Sequence, residues 1–422
     1  MSFGNSGSDR LRPARPPRTG VGKLEPVWPA GRGGLGLARP PTLRERLLAR
    51  DSPLRHLDWL LLLVVLALSL MGTLLVWSAT RTGLAHSGGD PTAYLKRQLI
   101  NTAIGLVLMV AVGLVNSRQL RAFAPLVYLA GLLGLVAVLS PLGSTINGAH
   151  AWISLPGGYQ IEPSEYAKLG LILMVAMLFS EARERDRRPR LRDLALVVVC
   201  AAPVLGLVIA EPALGVTVIL LLITVGMIAL SGIRLRWLAV LAGAGGLLVA
   251  VVLSLHVLRP YQLERLTAFS NPAADPLGAG YSAAQAKIAI GSGGMFGQGL
   301  FHGQLVAGSF VPSQQTDFIF TVAGEELGFI GCIVIIGLLA LLLLRALRIA
   351  ALADDQFGLL VAAGIAIWFA FQAFINIGMT IGIMPVTGVP LPFVSYGGSA
   401  LFCDMIAVGV LQSIHRRNFV FG

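Results

Sequence analysis

Charge is scarce in this chain: Asp, Glu, Lys and Arg make up 13% of its 422 residues, against 55% hydrophobic residues. That shortage argues against a soluble globule, which could not hide so much apolar surface. Cysteine is nearly absent too. Cys200, Cys332 and Cys403 all lie in apolar stretches, which speaks against a disulfide framework or a cysteine metal cluster. His150 and His302 lack metal-ligand spacing, so a zinc site is not expected. No apolar segment occurs early. The first begins near Leu57 and is long enough to cross a bilayer, so it reads as a span rather than a cleavable signal.

What is present is a series of apolar runs in a chain of mean hydropathy +0.77. Runs of about 17–25 residues with few charges match the length that crosses a hydrocarbon core. They predict ten spans, at about 57–79, 98–115, 120–140, 164–181, 194–210, 215–231, 237–257, 317–344, 358–380 and 398–414. The expected fold is an all-α polytopic membrane protein of about ten transmembrane helices, with a large outer loop, about 258–316, between helices 7 and 8. Residues 1–56, rich in Arg, Pro and Gly, read as a disordered basic tail, residues 57–418 as the membrane domain and 419–422 as a short carboxyl terminus.

A net charge of +11 raises the question of nucleic acid, but the placement of the basic residues answers it. Of 32 Lys and Arg, 25 fall in the tail or in caps on one side of the predicted spans, and six on the other; Lys168 lies within a span. That asymmetry predicts both termini in the cytoplasm and explains the charge without a nucleic acid.

Two outer loops stand out. Residues 141–163 hold no Lys or Arg, and Trp152, Ile153 and Leu155 suggest a segment lying in the membrane interface. Residues 258–316 far exceed what joining two helices needs, and loops of that length are usually functional or disordered. Ile, Phe and Met with little net charge favour order here. Within it, Asp275 is the one carboxylate between Glu264 and Asp317. An Asp-Pro turn followed by Gly accounts for it structurally. A carboxylate at the bilayer edge also has the chemistry to take a proton from an attacking hydroxyl.

The run Gly291 to Gly303 has six glycines in thirteen positions and lacks the Lys-Ser or Lys-Thr of a nucleotide loop. It reads either as close helix packing or as a nest of backbone N–H groups for a diphosphate, with Lys287 or Arg265 adding charge. Charges inside spans are costly and usually face a cavity or a polar network. Glu165 and Lys168 are three apart on one helix face. Glu325 and Glu326 follow Thr316 and Asp317, which are expected to cap the eighth span, while Gln372, Asn376 and Asp404 fall in the last two spans.

Several strings together resemble the RodA/FtsW/SpoVE family of shape, division and sporulation proteins. They are PLPFVSYGGSA from Pro390 to Ala400, TDFIFTVAGEELGFIG from Thr316 to Gly331, Tyr261-Gln262 with Arg265, DPLGAGY from Asp275, and the stretch from Asn147. AIGSGG from Ala289 and NIGMTIGIMPVTG from Asn376 are more similar to the RodA (elongation) branch than to FtsW. The chain departs from the family pattern at Glu162, where Gln is usual, at Ala151, where Arg is frequent, and at Ala213, Ser313 and Gln304.

The resemblance implies a ten-helix peptidoglycan glycosyltransferase of the bacterial plasma membrane that polymerises lipid II onto a growing glycan strand. It implies Asp275 as the essential acid and a class B penicillin-binding protein transpeptidase as partner. Substrate-binding candidates are Trp152, Glu165, Lys168, Arg265, Gln285, Lys287, Thr316, Asp317, Ser395 and Tyr396. No cofactor is required by this reading, though Mg²⁺ or Mn²⁺ would suit the departing diphosphate. Competing readings are a lipid II flippase, which would also carry intramembrane charges, a division-specific FtsW-type protein, and a scaffold that recruits the transpeptidase.

Overall fold

A computed structural model describes residues 57–420, apart from 147–148, 156–158, 185–188, 212, 235, 242, 244, 247–268 and 270–277. The elements in chain order begin with α1 (Trp59–His86), α2 (Ala93–Leu114) and α3 (Ser117–Leu139). A small sheet follows, β1 (Gly143–Ile146), β2 (Ala149–Leu155) and β3 (Tyr159–Ile161). Next come α4 (Pro163–Glu184), α5 (Leu191–Ala210) and α6 (Leu214–Leu230). The last group is α7 (Ala279–Ser292), α8 (Gln304–Ala307), α9 (Ile319–Ala351), α10 (Gln356–Ile381) and α11 (Gly398–Val420).

Seven of these helices are long and apolar enough to cross a membrane, and α6 is a shorter apolar helix of 17 residues. The 22-residue α4 is not among them; it carries Glu165 and Lys168, which the bundle buries completely. Nine of the ten predicted spans thus coincide with described helices. The remaining one, 237–257, lies mostly outside the described residues, as do the tail 1–56 and much of the loop from 258. The fold is an all-α multi-pass membrane bundle with one small sheet.

Helix α10 is the axis of the bundle. It packs against α4, α6, α7 and α9, and Trp368, Phe369 and Phe357 along it are buried. On the outer helices Leu63, Val107, Leu133 and Val199 are exposed, a surface suited to lipid rather than water. Where helices touch, small residues let backbones meet. A Cβ on Gly72 of α1 would lie 2.4 Å from the Val394 carbonyl oxygen, so α1 can approach the loop before α11 only with glycine there.

The two ends of the bundle differ in chemistry. At one end Asp58 caps α1 through Leu61 N–H (3.0 Å) and accepts from Arg345 Nε and Nη2 at 2.8 and 2.6 Å. Gln412 brackets the Asp58 backbone from both sides, accepting from its N–H (2.9 Å) and donating to its carbonyl (3.0 Å). Arg417 bridges Asp355 (2.6 Å), the cap of α10, and Ser117 (2.9 Å) at the start of α3. These contacts tie the ends of α1, α3, α9, α10 and α11 together. The opposite end carries the sheet, the segment 278–318 and the loop 382–397.

The sheet is antiparallel in the order β1-β2-β3, with Ser144 opposite Trp152 and Leu155 opposite Tyr159. The Ser144 hydroxyl donates to the Trp152 carbonyl at 3.0 Å. The segment expected to lie in the interface is therefore a small sheet that packs on α3 and α4.

Candidate active site

At the sheet end, the interior is polar. Lys168 Nζ donates to Glu165 Oε1 and to Gln372 Oε1, both at 2.8 Å, and sits 4.6 Å from the Trp368 ring centroid. Trp368 Nε1 donates to the same Gln372 oxygen at 2.6 Å, and Gln372 Nε2 donates to the Pro390 carbonyl at 3.0 Å. One helical turn separates Glu165 from Lys168, and another separates Trp368 from Gln372, so each helix presents its pair on one face. Both charged side chains of the pair are 0% exposed.

Around this pair stand further acids. Asp404 Oδ2 accepts from Phe393 N–H at 3.3 Å, while its Oδ1 and Glu165 Oε2 have no protein partner. Glu162 precedes α4, where Ser164 donates to its Oε1 at 2.9 Å and Ser399 Oγ accepts its N–H at 3.0 Å. Glu211, just past the end of α5, is fully buried with neither carboxylate oxygen bonded. Burial, followed by repulsion from Glu165, pushes the Glu162 carboxyl up to about 8. Burial, followed by repulsion from Glu162, pushes Glu211 up to about 8. Neutral carboxyls at these two positions spare Lys168 from sharing its one positive charge among them.

The loops over this interior are stitched to it. Asn376 Nδ2 donates to the carbonyls of Asp317 (2.8 Å) and Val389 (2.7 Å). Ser395 Oγ donates to the Thr316 carbonyl at 2.6 Å and accepts from Leu391 N–H at 2.8 Å, and Tyr396 N–H donates to the Gln315 carbonyl at 2.9 Å. Thr316 and Asp317 thus contribute their backbone carbonyls to this stitching. They do not cap α9, whose N-cap is Phe318 with no side-chain cap bond, because the chain stays in a turn for one residue more.

The glycine run settles into packing. Helix α9 breaks its own ladder at Gly328 (φ 67°), and the segment 294–299 supplies the missing partners. Gln298 and Gly299 N–H donate to the carbonyls of Glu325 and Glu326, while Phe329 and Ile330 N–H donate to those of Gly294 and Met295, at 2.9–3.2 Å. For the alternative reading, a diphosphate nest, the Gln298 and Gly299 amides are already taken by these carbonyls. Glu325 accepts from Leu305 N–H (2.7 Å) and Val306 N–H (3.0 Å), and Glu326 Oε1 accepts from the Ser78 hydroxyl. Donors already spent on internal carboxylates are not open to a ligand.

Of the residues singled out from the sequence, Glu165, Lys168, Ser395, Tyr396, Thr316 and Asp317 come together in or over this network. Trp152 lies half-buried in β2, and Gln285 lies half-buried on α7. Lys287 is exposed on α7 and lies against Gly382, the left-handed residue (φ 81°) ending α10, where a cation complements the helix dipole. Asp275 and Arg265 lie outside the described residues. Sequence reasoning missed Glu162 and Glu211 as a charge-coupled pair. The signal present was an acid beside a proline in Glu162-Pro163 and Glu211-Pro212, each at an apolar boundary.

Residues 58–419 match a family model described as "Cell cycle protein" for FtsW, RodA and SpoVE. The chain belongs to the FtsW/RodA/SpoVE family. It is 39% identical over 369 residues to "Probable peptidoglycan glycosyltransferase FtsW" of Trichlorobacter lovleyi, covering 87% of this chain and 95% of that one. Against "Peptidoglycan glycosyltransferase MrdB" of Escherichia coli K12 it is 39% identical over 367 residues, covering 86% and 94%. A solved chain, from work on "polymerization and crosslinking by a peptidoglycan synthase complex", is 32% identical. It superposes with a TM-score of 0.72 over 86% of this chain and 99% of that one.

Proposed function

We propose that this family member is a peptidoglycan glycosyltransferase that polymerises lipid II at the outer face of the bacterial plasma membrane, with both termini in the cytoplasm. The observation that carries the reading is one-sidedness. Buried, partly unpartnered polar groups collect at the sheet end, while Asp58–Arg345 and Asp355–Arg417 close the other end. A translocator needs polar access from both ends in turn. The names of the full-length relatives support glycosyl transfer.

In this mechanism the acceptor sugar's 4-hydroxyl attacks the anomeric carbon of a lipid-linked donor. The new C–O bond forms as the bond to the polyprenyl diphosphate breaks, and Asp275 takes the hydroxyl proton. Arg265 and Lys287 offset charge on the departing diphosphate. Trp152, Glu165, Lys168, Gln285, Thr316, Asp317, Ser395 and Tyr396 shape the substrate cavity. Among the described residues no group of three or more His, Cys, Asp or Glu is arranged to hold a metal ion, and no step is assigned to one.

AIGSGG and NIGMTIGIMPVTG favour the elongation branch, and the partner is a class B penicillin-binding protein, in keeping with the synthase complex of the solved relative. Purified protein in vesicles containing lipid II should yield glycan chains on a gel. Lipid II reaching the opposite leaflet with no polymer formed would replace this reading with a flippase.

A further inference from the structure

Beside the Lys168 network, three tyrosines converge from three elements. Tyr94, in the first turn of α2, and Tyr396, in the loop before α11, hold their rings 4.8 Å apart at 58°. Arg97, exposed and almost one turn beyond Tyr94 on α2, stands on the same stretch of helix as that ring and carries its guanidinium to the same end of the bundle. Tyr159 on β3 is 41% exposed and lies three residues before Glu162, whose N–H donates at 3.0 Å to Ser399, three residues past Tyr396. Tyr396 is fixed from behind: its N–H is held by the Gln315 carbonyl, and the preceding Ser395 by Thr316.

This combination has a definite ligand chemistry. Ring faces offer apolar area for the C–H face of a pyranose, and phenol hydroxyls offer both donor and acceptor. A guanidinium carries five N–H donors in a fork, so Arg97 can offer several to sugar hydroxyls. Tyrosines also gather at membrane interfaces simply as anchors. Two features set this group apart from such a belt: Tyr159 comes from the sheet rather than a lipid-facing helix, and an exposed arginine follows Tyr94 by three residues on α2.

We propose that Tyr94, Tyr159, Tyr396 and Arg97 form a saccharide-binding platform that grips a hexosamine ring of the glycan next to the unit undergoing transfer. This rests on the function proposed above and adds a subsite to it. The platform lies at the start of α2, at the same end of the bundle as the sheet. A strand held there is retained between successive additions.

The test is binding of a lipid-free, uncrosslinked peptidoglycan tetrasaccharide to the detergent-solubilised full chain, read by saturation-transfer NMR and titration. Tyr159→Ala should weaken binding about three- to tenfold, in the range of one aromatic contact. Tyr159→Phe, which keeps the ring, should restore most of it. In lipid II polymerisation, Tyr159→Ala should shorten the glycan chains and raise KM with little change in kcat. An anchoring role would instead move thermal stability and leave tetrasaccharide binding alone. Tyr94→Leu with Arg97→Gln should abolish binding, and if that variant does not fold, Tyr159→Ala on its exposed strand still decides. Failure of the wild-type protein to bind the tetrasaccharide, or unchanged binding and chain length in Tyr159→Ala, overturns the platform. Absence of polymer from the wild type overturns the glycosyltransferase reading instead, because tetrasaccharide binding is measured without turnover.

Discussion

Replacing Lys168 by methionine keeps most of the side-chain volume and removes the one cation in the Glu165 pair. The structure sets the cost. Glu165 is 0% exposed and its Oε2 already lacks a partner, so losing Lys168 Nζ at 2.8 Å strands a buried carboxylate. Breaking one side of a buried pair costs about 3–5 kcal/mol. The ammonium over Trp368 adds roughly 0.5–2 kcal/mol. Gln372 Oε1 keeps its bond from Trp368 at 2.6 Å, so the loss is confined to the charge. Lys168→Met should therefore lower the thermal midpoint of the solubilised protein by several degrees. Adding Glu165→Gln should recover at least half of the loss, because a neutral pair in the same space carries no desolvation penalty. The assay is thermal unfolding of the single and double variants, each judged against the wild type. A Lys168→Met protein as stable as wild type, or a double variant worse than the sum of its parts, refutes the buried-pair reasoning.

Two further expectations concern the same end of the bundle. Glu162 and Glu211, each pushed up to about 8 from an ordinary 4.5, bind their protons more tightly in the folded state than in the unfolded one. Their contribution is therefore full below about pH 4.5, declines as pH rises toward 8 and is lost above it. Glu162→Gln with Glu211→Gln should flatten the fall in thermal midpoint between pH 5.5 and 8.5, roughly the window those shifts set, and an unchanged slope would count against the protonated pair. At the α9 break, a Cβ on Gly297 would sit 2.1 Å from the Glu326 carbonyl oxygen and one on Gly328 2.2 Å from Gly297 N. Alanine at either should cost at least about 1–3 kcal/mol and expose segment 294–310 to protease, whereas Gly291→Ala, with nothing within 4 Å, should be silent.

Hydropathy and basic caps made the spans legible because lipid imposes one length and one pattern on every crossing. The Glu165–Lys168 pair was legible for a similarly local reason, a helical spacing of three. What was hidden depends on distant partners. The Asp58–Arg345 lock joins residues 287 apart, and Glu211 meets Glu162 only once α4 and α5 stand side by side. The sheet at 143–161 was missed because its strands are short and rich in Ser, Thr and Ala, with no clean alternation to mark a buried face. The glycine run was ambiguous until Gly328 supplied the backbone that it packs against. Before that, its free amides and a ligand nest looked alike.

The most direct test of the proposed chemistry is Asp275→Asn, assayed with lipid II in a purified system alongside a thermal unfolding curve. Loss of a general base should slow polymer formation by about 10²–10⁴-fold while the unfolding midpoint stays at the wild-type value. Near-normal glycan synthesis by a folded Asp275→Asn protein would contradict the account.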